Sequence, residues 1–430
     1  MNNDTHIGNT MIDFMVEMWP INRSITGEGI RQTLGMIQAI LPEMKIMEVP
    51  TGEKVLDWVI PEEWRLETAQ LTAPNGEVIA DFKVNNLHVM GYSESVDLKL
   101  TLEELQPHLY SLPDQPDAIP YVTSYYKRNW GFCITHDVRT KLSEGIYHAQ
   151  ITSEHFKGSL SYGELVIPGE LPNEILISTY CCHPSMANNE LSGPCVATFL
   201  AQWVSSMPYR KYTYRFVFIP EMIGSAAYLQ ANHAHLKQHV LAAFNLTCVG
   251  DERQWSFLPS RLGNTYADKV ALHVLKTAGV DVSFYRWIDR GSDESMYCAP
   301  GIDLPMVSVM RTKYGVYPEY HTSLDTIGGV VTAKGLFDSL EMHKAIINVI
   351  EHDCIPVSLV LGEPQLGPRG LYPMTSVKGS TASVKDMLNL ISYADGKHTL
   401  LEIAELCDRP FDIFLPIINQ LKQHKLLSIT

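Results

Sequence analysis

The stretch Ile175-Leu-Ile-Ser-Thr-Tyr-Cys-Cys-His183-Pro-Ser-Met-Ala-Asn-Asn189-Glu190-Leu-Ser-Gly193 gives the clearest indication of the fold. Its first residues form an apolar run typical of a buried strand, and a helical pattern begins near Leu191. The loop between them carries His183 and Glu190 at the carboxyl end of the predicted strand. An imidazole and a carboxylate are ligands that suit Zn²⁺. The simpler interpretation is that His183 ends the strand and Asn188 caps the helix.

The same alternation of strands and helices extends from about residue 120 to residue 352. Strands are predicted at Gly131–Thr135, Glu164–Ile167, Glu174–Thr179, Tyr214–Ile219, Ala242–Cys248 and Met306–Met310. Helices are predicted at Gly193–Ser205, Ser225–Asn232, Tyr266–Thr277 and Ala333–Asp353. This alternation predicts an α/β fold with a mixed, mostly parallel sheet flanked by helices. Catalytic groups in such sheets gather where strands end and loops begin.

The flanking regions have a different texture. Residues 1–50 carry helical periodicity, with Ser24 or Thr26 as a candidate cap for a second helix. Short strand-like runs predict a small inserted β-rich module, at Lys54–Ile60, Glu77–Phe82, Asn86–Met90 and Val96–Leu100. Three amphipathic helices and a final apolar run predict a C-terminal winged helix. The sequence therefore predicts an α/β domain at residues 1–50 and 116–352, with an inserted module at residues 51–115. A Pro/Gly-rich linker follows at residues 353–379, and a winged helix at residues 380–430.

Composition narrows the classes of function. The 430 residues are 45% hydrophobic and 19% charged, which is ordinary for a globular protein. The net charge of −15 disfavours nucleic acid as a partner, and the predicted winged helix carries five Lys and Arg against six Asp and Glu. Eight scattered cysteines without a CxxC pair predict reduced thiols and a cytoplasmic location. No segment has the apolar length of a membrane span.

A second motif, Phe216-Val-Phe-Ile-Pro-Glu221, takes a predicted strand directly into a lone carboxylate. Glu221 is a candidate general base, because a desolvated carboxylate beside a metal can take a proton from water. The alternative is a glutamate in the first turn of a helix, where it complements the helix dipole.

Two further motifs lie in predicted loops. Tyr317-Pro-Glu-Tyr-His321-Thr-Ser-Leu-Asp325 holds a histidine and, four residues later, an aspartate that could orient the imidazole ring. The alternative is a surface histidine beside a capping aspartate. Arg290-Gly-Ser-Asp293-Glu294 is an acidic loop that could supply a metal ligand, contact a substrate amine, or form only a turn.

The order of these motifs resembles the zinc aminopeptidases of the leucyl and Streptomyces type. His183 matches the first histidine ligand of that family, and Ser192-Gly193 matches its Ser-Gly pair. Glu221 matches the general base, and His321-Thr322 with Asp325-Thr326 matches the last motif. The resemblance implies a zinc-dependent hydrolase of small peptide or amide substrates.

The chain departs from that family at three carboxylate positions. Asn189 stands where the family has a bridging aspartate, Met222 replaces the second glutamate of a pair, and Thr247 replaces a further aspartate. We therefore expect a single zinc ion. Its predicted ligands are His183, Glu190 and His321, and its predicted general base is Glu221. The reserve ligands are Asn189, Asp251 and Asp293.

Nearly the whole chain resembles bacterial aminopeptidase-like proteins that have an inserted domain and a C-terminal winged helix. Among the matching stretches are Asn22-Arg-Ser-Ile-Thr-Gly-Glu-Gly29, Ser124-Tyr-Tyr-Lys-Arg-Asn-Trp-Gly-Phe-Cys133 and Gly291-Ser-Asp-Glu294. In or beside these stretches lie arginines that could bind a substrate carboxylate or phosphate, or form surface salt bridges: Arg23, Arg128 and Arg290. The resemblance also implies a free substrate amine near Asp293 or Glu294.

Two functions remain open at this point. The first is metal-dependent hydrolysis of a peptide or amide bond. The second is a catalytically degenerate protein of the same fold that binds a peptide, a sugar conjugate or a partner protein, and the three missing carboxylates support it. We expect no nucleic-acid or membrane partner, and the sequence leaves homo-oligomerisation open.

Overall fold

The computed structural model of the protein describes residues 3–371 and 382–430. The helices of this part of the chain are α1 (Asn3–Met18), α2 (Glu28–Ile40), α3 (Leu102–Leu105), α4 (His136–Arg139), α5 (Ser192–Ser206), α6 (Ile223–His239), α7 (Tyr266–Thr277), α8 (Glu294–Tyr297), α9 (Ala333–His352), α10 (Ala382–Tyr393), α11 (Leu400–Leu406) and α12 (Phe414–Gln423). Its strands are β1 (Lys45–Pro50), β2 (Lys54–Val55), β3 (Trp58–Val59), β4 (Glu63–Thr72), β5 (Val78–Asp81), β6 (Val96–Thr101), β7 (Leu109–Tyr110), β8 (Phe132–Cys133), β9 (Ile146–Phe156), β10 (Ser159–Ile167), β11 (Leu171–Tyr180), β12 (Tyr212–Ile219), β13 (Val240–Asn245), β14 (Trp255–Leu258), β15 (Val282–Phe284), β16 (Met306–Met310), β17 (Pro356–Ser358) and β18 (Leu427–Ile429).

An eight-stranded mixed sheet carries the fold, in the order β1-β10-β12-β11-β13-β16-β14-β15. Its central strands β12, β11, β13 and β16 run parallel to one another. Strands β1, β10 and β14 join it by antiparallel pairing. Because the parallel strands point the same way, the loops that follow them meet at one edge of the sheet. The predicted fold class is confirmed.

The central strands are apolar because helices cover both faces of the sheet. The second half of β11 and nearly all of β12 are buried residue after residue, as parallel strands between helical layers require. Helix α5 lies so close to the sheet that a Cβ atom on Gly193 would stand 2.3 Å from the carbonyl oxygen of Leu246. That close approach explains why glycine occupies this helical position.

The inserted module is a separate four-stranded antiparallel sheet, in the order β5-β4-β9-β6. Its core includes Leu71, Phe132, Tyr147 and Ile151, all at most 1% exposed. The sequence predicted this module within residues 51–115, but strand β9 also belongs to it, so the sheet reaches to Phe156.

Two local predictions for the first hundred residues were wrong. Asn86–Met90 was expected to be a strand, but it begins as a 3₁₀ turn capped by the side chain of Asn85. Neither Ser24 nor Thr26 caps α2, whose N-cap residue is Gly27. The hydroxyl of Thr26 instead lies 2.6 Å from the hydroxyl of Tyr92 in the inserted module. A partner that is distant in sequence therefore displaced the local cap.

The chain divides into two compact units. One holds the residues up to Asp268 together with Asp281–Glu341, and the other holds Lys269–Val280 with the residues from Met342 onward. The second unit contains α10, α11, α12 and the β17–β18 pair, which is the arrangement expected for a winged helix. Strand β17 lies inside the predicted linker 353–379, and the end of that linker falls outside the described residues.

The cysteines and helices agree with the composition. All eight cysteines are free thiols, six of them buried. None of the helices in residues 3–371 and 382–430 combines the length and apolar character that a membrane crossing requires.

Candidate metal centre

Four loops at one edge of the large sheet bring the predicted site residues together. His183 follows β11, Glu221 follows β12 and His321 lies in the loop after β16. Residues 246–251 follow β13 between them. The four strands are parallel neighbours, so their carboxyl ends share this edge. Residues 138 positions apart in the chain thus become neighbours in space.

The two histidine rings lie at a separation that suits a shared ion. Their centroids are 5.4 Å apart, with 40° between the ring planes. A zinc–nitrogen distance of about 2.1 Å and a tetrahedral angle put the centroids of two ligating rings about 5 Å apart. His183 is only 5% exposed and the Nε2 atom of His321 is buried, so these ring nitrogens are shielded from bulk water.

The two nitrogens of His183 meet different carboxylates. Nδ1 lies 2.7 Å from Glu190 Oε2, and Nε2 lies 3.6 Å from Glu221 Oε2. Burial works to lower the pKa of His183, but the two carboxylates outweigh it and raise the pKa. A carboxylate on Nδ1 is the usual partner of an imidazole that binds metal through Nε2. Glu190 therefore contacts the Nδ1 side of the His183 ring, and Nε2 is the nitrogen that faces Glu221.

The Nδ1 side of His183 also carries a thiol. Donor atoms of Cys182, His183 and Glu190 lie within 4.8 Å of one another, the one such cluster found among the described residues. Cys182 Sγ accepts a hydrogen bond from the backbone N–H of Glu221 at 3.2 Å. Burial and the charge of Glu190 raise the pKa of this thiol well above its usual value. A protonated thiol is a poor zinc ligand.

Glu221 is held by its neighbours with one oxygen free. Ser292 Oγ donates to Oε1 at 2.8 Å, which leaves Oε2 on the His183 side. Burial raises the pKa of Glu221, although His183 and the Ser292 hydrogen bond partly oppose this. The next residue, Met222, has a φ of +61°, a strained value for a residue with a side chain. A strained backbone position therefore lies directly after Glu221.

His321 lies in a strained, aromatic environment. Its φ is +56° and its ring stacks on Tyr320 at 3.9 Å between centroids. Tyr121 packs against both histidines, with its ring centroid 5.0 Å from that of His183 and 5.3 Å from that of His321. Burial and the neighbouring His183 lower the pKa of His321 to about 3, so its ring is neutral at pH 7. Its Nε2 is buried without a hydrogen-bond partner in the described part of the chain.

Asp325 does not orient His321, contrary to the prediction. Its Oδ1 accepts from the backbone N–H of Asn188 at 2.7 Å. Its Oδ2 accepts from the N–H of Asn189 at 3.0 Å and from the Tyr317 hydroxyl at 2.9 Å. These donors lie in and beside a single π-helical turn, Ala187–Leu191, that carries Glu190. Asp325 braces this turn by accepting from its first backbone N–H groups, which have no acceptor within the turn itself.

The amide at the bridging-aspartate position is partly used. Asn189 Nδ2 donates to the Tyr180 hydroxyl at 2.7 Å, while Asn189 Oδ1 is buried with no donor among the described residues. The hydroxyl of Thr247 lies 2.6 Å from that of Tyr180. Asn189 and Thr247, at two positions where the family that the sequence resembles has carboxylates, therefore converge on one tyrosine. A free amide oxygen and a free imidazole nitrogen are the kind of unsatisfied buried atoms that a cation satisfies.

The acidic loop 291–294 lies beneath Glu221. Asp293 Oδ1 accepts from the backbone N–H of Met222 at 2.7 Å and from Ser225 Oγ at 2.9 Å. Burial and the nearby Glu221 raise the pKa of Asp293 well above its usual value. Glu294 accepts from the Tyr314 hydroxyl at 2.6 Å and from two backbone N–H groups of the loop. Both side chains are buried and hold the loops around Glu221 through these hydrogen bonds. Their contact with a substrate amine stays a prediction.

Two further candidates, Asp251 and Arg23, are used by structural hydrogen bonds. Asp251 accepts from the backbone N–H groups of Arg253 and Thr312, the Thr312 hydroxyl and Asn188 Nδ2, so it is saturated as a loop brace. Arg23 is 1% exposed and donates to the carbonyl oxygens of His183 at 2.9 Å and Met18 at 2.7 Å. It is a scaffold for His183.

The other two arginines lie at the surface. Arg128 pairs with Glu62, and both side chains are about half exposed. The Arg290 guanidinium lies over the Trp287 ring, 5.0 Å from its centroid. Neither arginine is brought to the histidine pair by a contact of its own.

Sequence reasoning did not single out three side chains of the centre: Tyr121, Tyr180 and Ser292. Ser292 lies inside a motif already noted, and a hydroxyl next to two carboxylates was an available signal. Tyr121 follows Pro120 in a connecting segment that has no motif of its own. Its position depends on the backbone hydrogen bond from Tyr121 N–H to the His321 carbonyl oxygen, at 3.0 Å.

Comparisons with known proteins identify the family and the fold of the chain. A family model described as a domain of unknown function, DUF4910, matches residues 12–353, and a winged helix-turn-helix model matches residues 355–429. A protein of Clostridium acetobutylicum named "Putative polysaccharide biosynthesis protein with aminopeptidase-like domain" is 41% identical over 408 residues, which is 94% of this chain and 92% of that protein.

Solved structures give the same fold. A crystal structure described as a putative peptidase from Clostridium acetobutylicum is 38% identical, covers 100% of this chain and 98% of that one, and has a TM-score of 0.93. The zinc aminopeptidase BSAP of Bacillus subtilis is 13% identical, covers 80% of this chain and 94% of that one, and has a TM-score of 0.58. At that identity the second likeness shows the aminopeptidase fold alone.

Proposed function

The chain belongs to the family described as a domain of unknown function, DUF4910, and we propose that it is a zinc-dependent hydrolase of peptide or amide bonds. The observation that carries this proposal is the pair of imidazoles, the buried His183 and the partly buried His321, whose ring centroids lie 5.4 Å apart. Glu221, with a free carboxylate oxygen, lies 3.6 Å from His183 Nε2. Two imidazoles and an adjacent carboxylate are a sufficient set for metal-assisted hydrolysis.

We assign the ion to His183 Nε2 and His321 Nε2, because these nitrogens are not used by structural hydrogen bonds. The Asn189 amide oxygen is our candidate for a third ligand, because it is buried without a donor among the described residues. Glu190 takes the role of orienting His183 through Nδ1, in place of the ligand role expected from the sequence. One ion is favoured over two, because Met222 and Thr247 supply no carboxylate.

When bound, zinc supplies Lewis-acid chemistry, which polarises a substrate carbonyl and lowers the pKa of water. Glu221 Oε2 accepts a proton from the attacking water while Ser292 holds Oε1. The same oxygen then delivers that proton to the leaving nitrogen as the carbon–nitrogen bond breaks. The raised pKa of Glu221 suits both halves of this transfer, because the carboxyl must hold the proton between them.

Replacing Glu221 with glutamine tests the proposal on the full-length protein. We expect zinc content near one equivalent in both proteins, and a loss of about 10²–10⁴-fold in hydrolysis of aminoacyl p-nitroanilides. Glu154→Gln is the matched control, since Glu154 pairs with Arg65 at the surface of the inserted module. Chelation should abolish the wild-type activity. Carefully prepared protein without stoichiometric metal, or equal activity of the two glutamine variants, would refute the proposal.

A second function, binding without hydrolysis, is favoured by one observation. The three positions that hold carboxylates in the resembled zinc aminopeptidases are Asn189, Met222 and Thr247. The Clostridium relative's name, which mentions polysaccharide biosynthesis, makes a sugar conjugate a reasonable ligand class for such a protein. A zinc-loaded wild-type protein that hydrolyses no member of a broad amide panel would select this second function.

A further inference from the structure

A pocket of about 120 Å³ opens on the inserted module near the candidate metal centre. We name it the tyrosine–lysine pocket, after the side chains that line it: Tyr92, Tyr125, Tyr126, Lys127, Arg128 and His155. We propose that this pocket binds an anionic group of the substrate, a carboxylate or a phosphate. The inference rests on the proposed function, because it assigns the pocket to the substrate of the same centre.

The charge of the pocket is the first support. Within the described residues, no acidic side chain forms an ion pair with Lys127, so its ammonium charge is uncompensated. Arg128 is neutralised by Glu62, which also lines the pocket, through one terminal guanidinium nitrogen. The pocket therefore has an excess of positive charge in a chain whose net charge is −15. A localised cation of this kind selects anionic ligands.

The walls of the pocket are prepared for a ligand. Tyr92 stacks on Trp64 at 5.5 Å between centroids, and its hydroxyl donates to the Glu62 carbonyl oxygen at 3.2 Å. Tyr125 packs edge-on against Tyr92 at 5.1 Å. Tyr92 also has a φ of +64°, a strained conformation that clusters at ligand-binding sites. Fixed aromatic walls lower the entropic cost of binding.

The size of the pocket suits a small anionic group. A volume of about 120 Å³ is room for several water molecules, since one water needs about 10–15 Å³ of such volume. A carboxylate or phosphate with a few attached atoms fits this space. The Tyr126 side chain is 67% exposed at the rim, where it offers a ring face to the rest of the ligand.

The pocket and the metal centre share one segment of chain, residues 121–128. The Tyr125 hydroxyl, on the pocket side, lies 2.8 Å from the Tyr121 hydroxyl. Tyr121 in turn packs against both His183 and His321. Two tyrosine side chains therefore separate the pocket from the reacting centre. The anionic group bound there lies on a part of the substrate away from the bond that is cut.

Binding of small aromatic anions to the full-length protein tests the assignment. The probes are phenyl phosphate and benzoate, with benzyl alcohol as the neutral counterpart, followed by ligand-detected NMR. We expect both anions to bind, and Lys127→Met to weaken them at least tenfold. Lys141→Met, at another exposed lysine, should leave binding unchanged. Binding should persist after zinc is chelated, because the pocket contains no proposed zinc ligand.

The outcomes separate the possible ligands and the possible failures. If Lys127→Met loses binding of phenyl phosphate and not of benzoate, a phosphate ligand is supported. If the same variant loses binding of benzoate and not of phenyl phosphate, a carboxylate ligand is supported. Equal effects of the two lysine variants, or binding that disappears with the metal, would overturn the assignment. Failure of the proposed function appears instead as absent hydrolysis in the wild type, which leaves probe binding and its dependence on Lys127 intact.

Discussion

Asp325 braces the π-helical turn that carries Asn189 and Glu190, and its replacement with asparagine tests whether this turn maintains the metal centre. The carboxylate accepts from the backbone N–H groups of Asn188 and Asn189 and from the Tyr317 hydroxyl. An asparagine keeps one acceptor oxygen and turns an N–H₂ group toward the other donors. One buried backbone N–H therefore loses its acceptor while the shape of the side chain is unchanged.

The magnitude follows from these contacts. A hydrogen bond to a charged acceptor contributes about 1.5–3 kcal/mol, and leaving a buried donor unpaired costs about 1–3 kcal/mol. We expect the turn to be destabilised by about 3 kcal/mol, because one of the three bonds is lost and the other two lose the charge of their acceptor. That corresponds to a local opening constant about 150-fold larger. Zinc affinity should fall by about tenfold or more, as it does when groups that orient metal ligands are removed.

Hydrogen exchange measured by mass spectrometry gives the local stability, and competition with a chromogenic chelator gives the zinc affinity. Asp268→Asn is the matched control. Asp268 is also a buried loop brace, which accepts from the backbone N–H groups of Ser260 and Thr265, both at 2.9 Å. The control should increase exchange around residues 260–268 and leave zinc affinity unchanged.

Two results would refute this reasoning. The first is exchange at residues 187–191 that rises less than about fivefold in Asp325→Asn. The second is a zinc affinity that stays at the wild-type value although the turn opens freely. The second result would mean that the turn does not support the metal centre, even though Asp325 braces it.

Two further predictions concern stability. Burial works to raise the pKa of Glu174, but hydrogen bonds from Arg215 and His235 outweigh it and the pKa is lowered. The stabilisation is therefore complete above the ordinary glutamate pKa of 4.5. The difference in unfolding free energy between wild type and Glu174→Gln should shrink as the pH falls from about 6 to about 3.5. A constant difference in urea titrations over this pH range would contradict this. Gly193→Ala should lower the unfolding free energy by about 1–3 kcal/mol, because the new Cβ meets a carbonyl oxygen. Gly35→Ala should raise it by about 0.5–1 kcal/mol, because nothing lies within 4 Å of the new Cβ. Thermal denaturation of the two variants compares these effects.

Much of the large sheet could be predicted because its strands are read from apolar runs. Strand β16 (Met306–Met310) has the predicted bounds, because clear changes in polarity mark its ends. Helix α7 (Tyr266–Thr277) has its predicted bounds for the same reason. Strand β4 was not predicted, and its pairing explains why. A register shift between Leu66 and Thr68 changes which alternate residues face the core, so the period-two pattern breaks in the middle of the strand.

The candidate site was predicted in its members and less well in their contacts. The order of motifs indicated that His183, Glu221 and His321 lie at strand ends, and parallel strands bring such ends together. The spacing could not show that Glu190 faces Nδ1 of His183, because this depends on the π-helical turn. Tyr121 was overlooked because its position comes from a backbone contact to His321 across 200 residues.

The amino-acid sequence by itself determined the fold class, the winged helix and which residues end the central strands. These follow from local apolar patterns and from the order of motifs, which do not depend on distant contacts. The tertiary structure decided the partners of each polar group. Asp325 lies 137 residues from Asn188, and nothing in the spacing of either residue indicates that one braces the other. Burial is the physical reason, because a buried donor or acceptor takes whichever partner the folded chain brings within about 3 Å.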